Sequence, residues 1–151
     1  MPRMTRIFTD GSAIGNPGPG GWGAVLIQDK MRWEISGSEP WTTIQEMELL
    51  AAVRALASLP VGSKVELRSD SEYLINGMRI LVFRWINQGW RNRSGKELRD
   101  QELWKQLLTL NDSLSIHWSW IKGHNGHPEQ TRADALAYQA ARSAWIINRA
   151  A

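Results

Sequence analysis

Four acids occupy positions that folding alone gives little reason to choose: Asp10, Glu48, Asp70 and Asp134. Glu48 shares a helical face with Ala52, Ala55 and Leu59, at offsets of 4, 7 and 11. A carboxylate on an apolar stripe is costly to bury unpaired. Asp134 repeats the anomaly on a face shared with Tyr138, Ala141 and Trp145. Asp10 and Asp70 each end a strand-like segment, where open α/β sheets place their ligand sites. Each acid also has an ordinary reading. Asp10 could open a turn before Gly11, and Asp70 could cap a helix at Ser71. Glu48 could favour a helix N-terminus, and Asp134 could pair with Arg132 or Arg142.

Convergence of all four would favour chemistry over these ordinary roles. Clustered carboxylates repel one another, and hard divalent cations with oxygen ligands relieve that repulsion. Two magnesium ions about 3.5–4 Å apart suit an in-line displacement at a phosphate. Zinc fits less well: there is no cysteine, and His124 and His127 fall in a glycine-rich loop rather than on a helix face.

The elements that must position these acids can be read along the chain. Residues 6–9, 22–28 and 32–36 read as strands of an antiparallel meander, with a Gly/Pro-rich loop from Ser12 to Gly21 and a turn near Asp29-Lys30. A helix follows, with Thr42 or Thr43 as N-cap, and ends near Leu59 before Pro60. Residues 65–69 alternate as a strand. A helical pattern runs over 72–87 with a break expected near Gly77, and a polar basic stretch covers 89–99. A helix over 100–110, a strand over 116–120, a loop over 123–128 and a helix over 129–148 complete the order β-β-β-α-β-α-α-β-α. The fold class expected is α/β, a mixed five-stranded sheet (three antiparallel, two parallel) flanked by helices, in a single domain over residues 1–151.

Bulk properties agree with this and add limits. The 151 residues are 42% hydrophobic and 22% charged, enough for a core without staples. The absence of cysteine excludes disulfides and a thiol nucleophile. No apolar run approaches the ~20 residues of a membrane span, and the N-terminus lacks an apolar signal region. A cytoplasmic protein is the expectation. A net charge of +3 is compatible with a polyanionic partner.

The segments Phe8-Thr9-Asp10-Gly11-Ser12, Gly15-Asn16-Pro17-Gly18-Pro19-Gly20-Gly21, Met47-Glu48-Leu49 with Ala51-Ala52, Ser69-Asp70-Ser71 with Tyr73, and Lys122-Gly123-His124 with Gly126-His127-Pro128 and Asp134 span most of the chain. At these residues it resembles type 1 ribonuclease H, the bacterial ribonuclease HI family. The resemblance implies the ribonuclease H-like fold and hydrolysis of the RNA strand of an RNA–DNA hybrid, leaving 5′-phosphate and 3′-hydroxyl ends. It implies that Asp10, Glu48, Asp70 and Asp134 hold two Mg2+ ions, for which Mn2+ can substitute. One ion would activate water and the other would stabilise the leaving 3′-oxygen. His124 matches a mobile-loop histidine that resembles a proton shuttle or an aid to product release. The partner implied is the hybrid itself, bound by a monomer without an obligate protein partner.

For substrate contacts the same resemblance points to Gly11, Ser12, Asn16, Thr43, Gln45, Glu72, Trp85 and Trp104. Arg84, Arg91, Arg93, Lys96 and Arg99, set against Glu97, resemble the family's basic protrusion, which grips the DNA strand. The alternative for Trp90 and Trp104 is a place in the core. The chain departs from the family where Ile44 and Gln45 replace two common asparagines. It also carries Glu46, Glu72 and Gln130 at positions usually filled otherwise, and Ile86-Asn87-Gln88 where relatives are often basic. These changes bear on substrate affinity rather than on the four acids. Two other classes stay open: a module that binds hybrids without cutting, and another nuclease or strand-transfer enzyme on the same fold.

Overall fold

The computed structural model describes residues 3–123 and 126–150. Its sheet has five strands: β1 (Met4–Ala13), β2 (Gly18–Gln28), β3 (Met31–Thr42), β4 (Lys64–Ser69) and β5 (Ser115–Trp120). Their order is β3-β2-β1-β4-β5. The first three form the antiparallel meander; β4 runs parallel to β1, and β5 parallel to β4. The helices are α1 (Ile44–Ala57), α2 (Glu72–Asn76), α3 (Val82–Asn87), α4 (Gln101–Ser113) and α5 (Pro128–Ala150). Among the described residues no helix is long and apolar enough to cross a membrane.

Strand alternation sorts the core into two layers. Ile7 lies opposite Leu26 and Phe8 opposite Val25. Ile7 and Leu26 join Leu49, Leu56, Leu67, Leu74, Trp104 and Trp118 beneath α1, α2 and α4. Phe8 and Val25 meet Ala133 and Leu136 of α5 on the other face. As the central strand, β1 is buried on both faces from Ile7 to Asp10. Helix α5 lies close on β2 because Gly21 and Gly23 have no side chains: a Cβ on Gly21 would sit 2.4 Å from the Ala137 carbonyl, and one on Gly23 2.6 Å from Leu136 Cβ.

Three local expectations are corrected in part. The strand β1 does not stop at Asp10; it continues to Ala13 by pairing with β2, so the loop expected over 12–21 shrinks to a short turn between the two strands. The α-helix does give way at Gly77, but the chain does not leave the helical path. A π-helical turn, Gly77–Leu81, joins α2 to α3, and the missing Cβ admits the Trp104 ring, which would lie 2.1 Å from such an atom. The stripe shared by Asp134, Tyr138, Ala141 and Trp145 is only partly the buried face of α5: Ala141 is buried and Trp145 half-buried, while Asp134 and Tyr138 are exposed. The buried face is Gln130, Ala133, Leu136, Ala137, Ala141 and Ala144, and Asp134 stands exposed beside it.

Candidate active site

Register brings the two sheet acids together. Thr9 and Ser69 are the last partners of the parallel β1–β4 ladder, so Asp10 and Asp70 are the next residues on each side. There β4 ends while β1 runs on against β2, with Asp10 opposite Gly23. The sheet opens between the two acids. Asp10 is 8% exposed, and the Gly11 N–H donates to its Oδ1 at 2.8 Å.

Glu48 comes from the second turn of α1, which Thr43 caps by accepting from the Glu46 N–H at 3.0 Å. Gly11 lets α1 settle on β1: a Cβ there would fall 2.4 Å from the Glu48 backbone nitrogen. Asn16, in the β1–β2 turn, adds a second restraint by accepting from the Ile44 N–H at 3.0 Å. Ser71 then fixes the carboxylate, its hydroxyl donating to Glu48 Oε2 at 2.6 Å. Ser71 Oγ also caps α2 by accepting from the Leu74 N–H at 3.1 Å, and the Ser71 N–H donates to Ser69 Oγ at 3.0 Å. The Trp120 indole N–H donates to the Asp70 carbonyl at 3.2 Å.

Asp134 is presented by α5, whose start is tied to β1 by Gln130. The Gln130 Nε2 donates to the Thr9 carbonyl at 3.0 Å, and its side chain is buried. Among the described residues no ion pair involves Asp134. Arg132, one of the two partners (with Arg142) that the ordinary reading would give it, instead grips Glu34 with two hydrogen bonds of 2.8 and 3.0 Å.

The electrostatics of Asp10 report how the acids are disposed. Burial raises its pKa first, then the charge of Asp70, with smaller contributions from Asp134 and Glu48. The Gly11 N–H opposes them, and the result is about 8. All the charges that act on Asp10 among the described residues are carboxylates. Glu48 is also raised, by burial and by Asp70, against the Ser71 hydrogen bond. The acids act on one another as like charges, yet among the described residues no three or more acids or histidines are grouped so as to hold a metal ion.

A cavity beside the acids is lined by Asp70, Lys122, His127, Gln130, Thr131 and Asp134. His124, the expected proton carrier, lies outside the described residues. Gly11 and Ser12 continue along β1 past Asp10, half-buried, while Gln45 and Glu72 are exposed in the first turns of α1 and α2. Trp85 is half-buried and lines a second cavity of about 480 Å3 with Leu81, Arg84, Gln88, Arg91, Asn92 and Arg93. Trp104 is corrected. It is 0% exposed, packs at a tilt against Trp85 with ring centroids 5.0 Å apart, and donates its indole N–H to the Tyr73 hydroxyl at 3.3 Å. It has no face left for a substrate.

Two supports, Ser71 and Gln130, went unseen as site residues in the sequence. The sequence offers Asp70 as the cap before α2, whereas the structure gives that place to Ser71, and its reach to Glu48 has no local signal. Gln130 stood out only as a departure from the family.

A mixed sheet in this order, with acids where two parallel strands part, defines the ribonuclease H-like class of α/β folds. The RNase H family model matches residues 2–142, and the chain belongs to that family, in its type 1, bacterial ribonuclease HI group. It is 46% identical to the ribonuclease H of Erythrobacter litoralis, over 92% of this chain and 96% of the relative. It is 43% identical to the ribonuclease HI of Caulobacter vibrioides, over 95% of each. Among solved structures it resembles LC9-RNase H1, a type 1 RNase H with the type 2 active-site motif, at TM-score 0.83 and 29% identity, covering 95% of this chain and 74% of that one. It also resembles LC11-RNase H1 in complex with an RNA/DNA hybrid, at TM-score 0.69 and 28% identity, covering 93% and 99%.

Proposed function

We propose that this protein is an endonuclease that hydrolyses the RNA strand of RNA–DNA hybrids with two divalent cations, giving 5′-phosphate and 3′-hydroxyl ends. One observation carries the reading. Asp10 is held among three other carboxylates, with a pKa pushed up to about 8 by burial first and then by their charge, and bound cations would relieve both. The donors are all oxygen, which fits Mg2+ or Mn2+. An open arrangement also fits, because Mg2+ keeps several waters and takes one or two carboxylates plus substrate phosphate.

Asp10, Glu48, Asp70 and Asp134 would hold the ions. When bound, the pair supplies a lowered pKa for the attacking water and neutralisation of charge on the leaving oxygen. The chain's own contribution is placement. Gly11 and Ser71 orient the Asp10 and Glu48 oxygens, so that little reorganisation is needed on binding. His124 is assigned proton transfer or product release. The arginines beside Trp85 are assigned the phosphates of the DNA strand, and Gly11, Ser12, Asn16, Thr43, Gln45 and Glu72 the contacts near the RNA. The protein acts as a monomer in the cytoplasm, as one domain.

The test is gel analysis of labelled RNA–DNA hybrid beside duplex RNA and duplex DNA, with Mg2+ or chelator. Cleavage confined to the RNA of the hybrid and abolished by chelator is expected. Cleavage of all three duplexes, or persistence in chelator, contradicts the reading.

A further inference from the structure

We infer that Gln130 is a positioning residue for the metal acids: its hydrogen bond to the Thr9 carbonyl sets Asp134 against Asp10. Three observations carry this. The bond links residues 121 apart in sequence, in the buried interior, at 3.0 Å. Thr9 is the residue before Asp10 on β1, and Gln130 lies one helical turn before Asp134, which stands at the edge of the buried face that Gln130 belongs to. Fixing this pair therefore fixes the acid that follows each. Finally, the amide is 4% exposed, and its Oε1 has no hydrogen-bond partner among the described residues. A side chain kept only to fill space would avoid that orphaned oxygen. The N–H donor is what the position retains. Gln130 also lines the cavity between Asp70 and Asp134, so its anchoring is felt directly at the acids.

The arrangement has a counterpart across the site. Ser71, next to Asp70, reaches Glu48. Gln130, one turn from Asp134, reaches the strand of Asp10. Each tie joins one sheet acid to one helix acid. With Gln130 in place, α5 holds Asp134 at a fixed height above β1, although Asp134 is exposed and has no ion pair of its own among the described residues. Shortening or blunting residue 130 lets the start of α5 slide, and Asp134 with it.

The proposal rests on the reading of the four acids as metal ligands, and the experiment separates the two. Mn2+ binding to the substrate-free protein is measured by electron paramagnetic resonance for the native chain, Asp10→Asn, Gln130→Met and Gln130→Asn. Thermal melting without metal is measured alongside. Gln130→Met keeps the length and removes the donor. It is expected to weaken Mn2+ binding about tenfold, the usual effect of losing a partner that orients a ligand. The Mg2+ needed for half-maximal hydrolysis should rise in parallel, with activity recovering as Mg2+ is raised. Gln130→Asn keeps the amide one methylene short and should fall between, and it decides the matter if Gln130→Met does not fold. Mn2+ affinity within twofold of native in a folded variant, whatever the melting temperature does, overturns the role of Gln130. Equal binding by native and Asp10→Asn would instead overturn the metal site itself.

Discussion

The Ser71 hydroxyl donates to Glu48 Oε2 at 2.6 Å while Ser71 Oγ itself caps α2 by accepting from the Leu74 N–H. One side chain thus ends a turn, starts a helix and aims a carboxylate. Ser71→Ala is expected to lose about 1 kcal/mol of stability through the cap. It should also raise the Mg2+ requirement for hydrolysis about tenfold through the freed Glu48. Ser71→Thr, which keeps both bonds, should restore both. Melting curves and Mg2+ titrations of activity check this. A stability loss with an unchanged Mg2+ requirement would leave Ser71 only its capping role.

The acid cluster makes metal-free stability depend on pH. The Asp10 pKa is about 8 in the folded protein, above its ordinary value of 3.8. Between those values the folded state binds more protons than the unfolded state, so stability is greatest at low pH in the window and falls as pH rises toward 8. Asp10→Asn should therefore raise the metal-free melting temperature at pH 8 by several degrees, at about 2–4 °C per kcal/mol, and change it little at pH 5. Saturating Mg2+ should flatten the native profile. A lower melting temperature for Asp10→Asn at pH 8 would mean that Asp10 is chiefly structural.

Trp85 and Trp104 pack against each other at a tilt but should answer differently to replacement. Trp104 is fully buried, so Trp104→Ala is expected to cost about 3–5 kcal/mol, with the KM for hybrid unchanged in the folded fraction. Trp85 faces the cavity lined by Arg84, Arg91 and Arg93, so Trp85→Ala should raise KM several-fold. Equal effects on KM would argue against the division.

The arginines of that cavity should act by charge. Arg84→Ala, Arg91→Ala and Arg93→Ala should each weaken hybrid binding and lower the slope of log K against log salt by about 0.7–0.9 for each phosphate no longer neutralised. Binding isotherms at several salt concentrations measure this. An unchanged slope would mean the residue touches no phosphate.

Much of this site was legible in the chain because acids are conspicuous where apolar residues are expected. Glu48 and Asp70 fall on the helix and at the strand end where the pattern puts them. Asp10 was read as a strand end, but a strand can lose one neighbour and keep the other, and β1 continues beside β2 after β4 stops. No local pattern reports on a single edge. Asp134 drew notice through a stripe that is only partly covered, since periodicity tells which residues share a face but not how far that face is covered. Gly77 was read as a breaker, yet its role depends on Trp104, which arrives from α4. The ties made by Ser71 and Gln130 span 23 and 121 residues, and such contacts exist only once the layers have packed.

The most direct test of the central claim, that these acids hold the cations that cut RNA, is hydrolysis of an RNA–DNA hybrid by Asp10→Asn, with binding measured on the same preparation. Hybrid affinity within about threefold of native, with Mg2+-dependent cleavage reduced by about a thousandfold or more, is predicted. Cleavage within tenfold of native would contradict it.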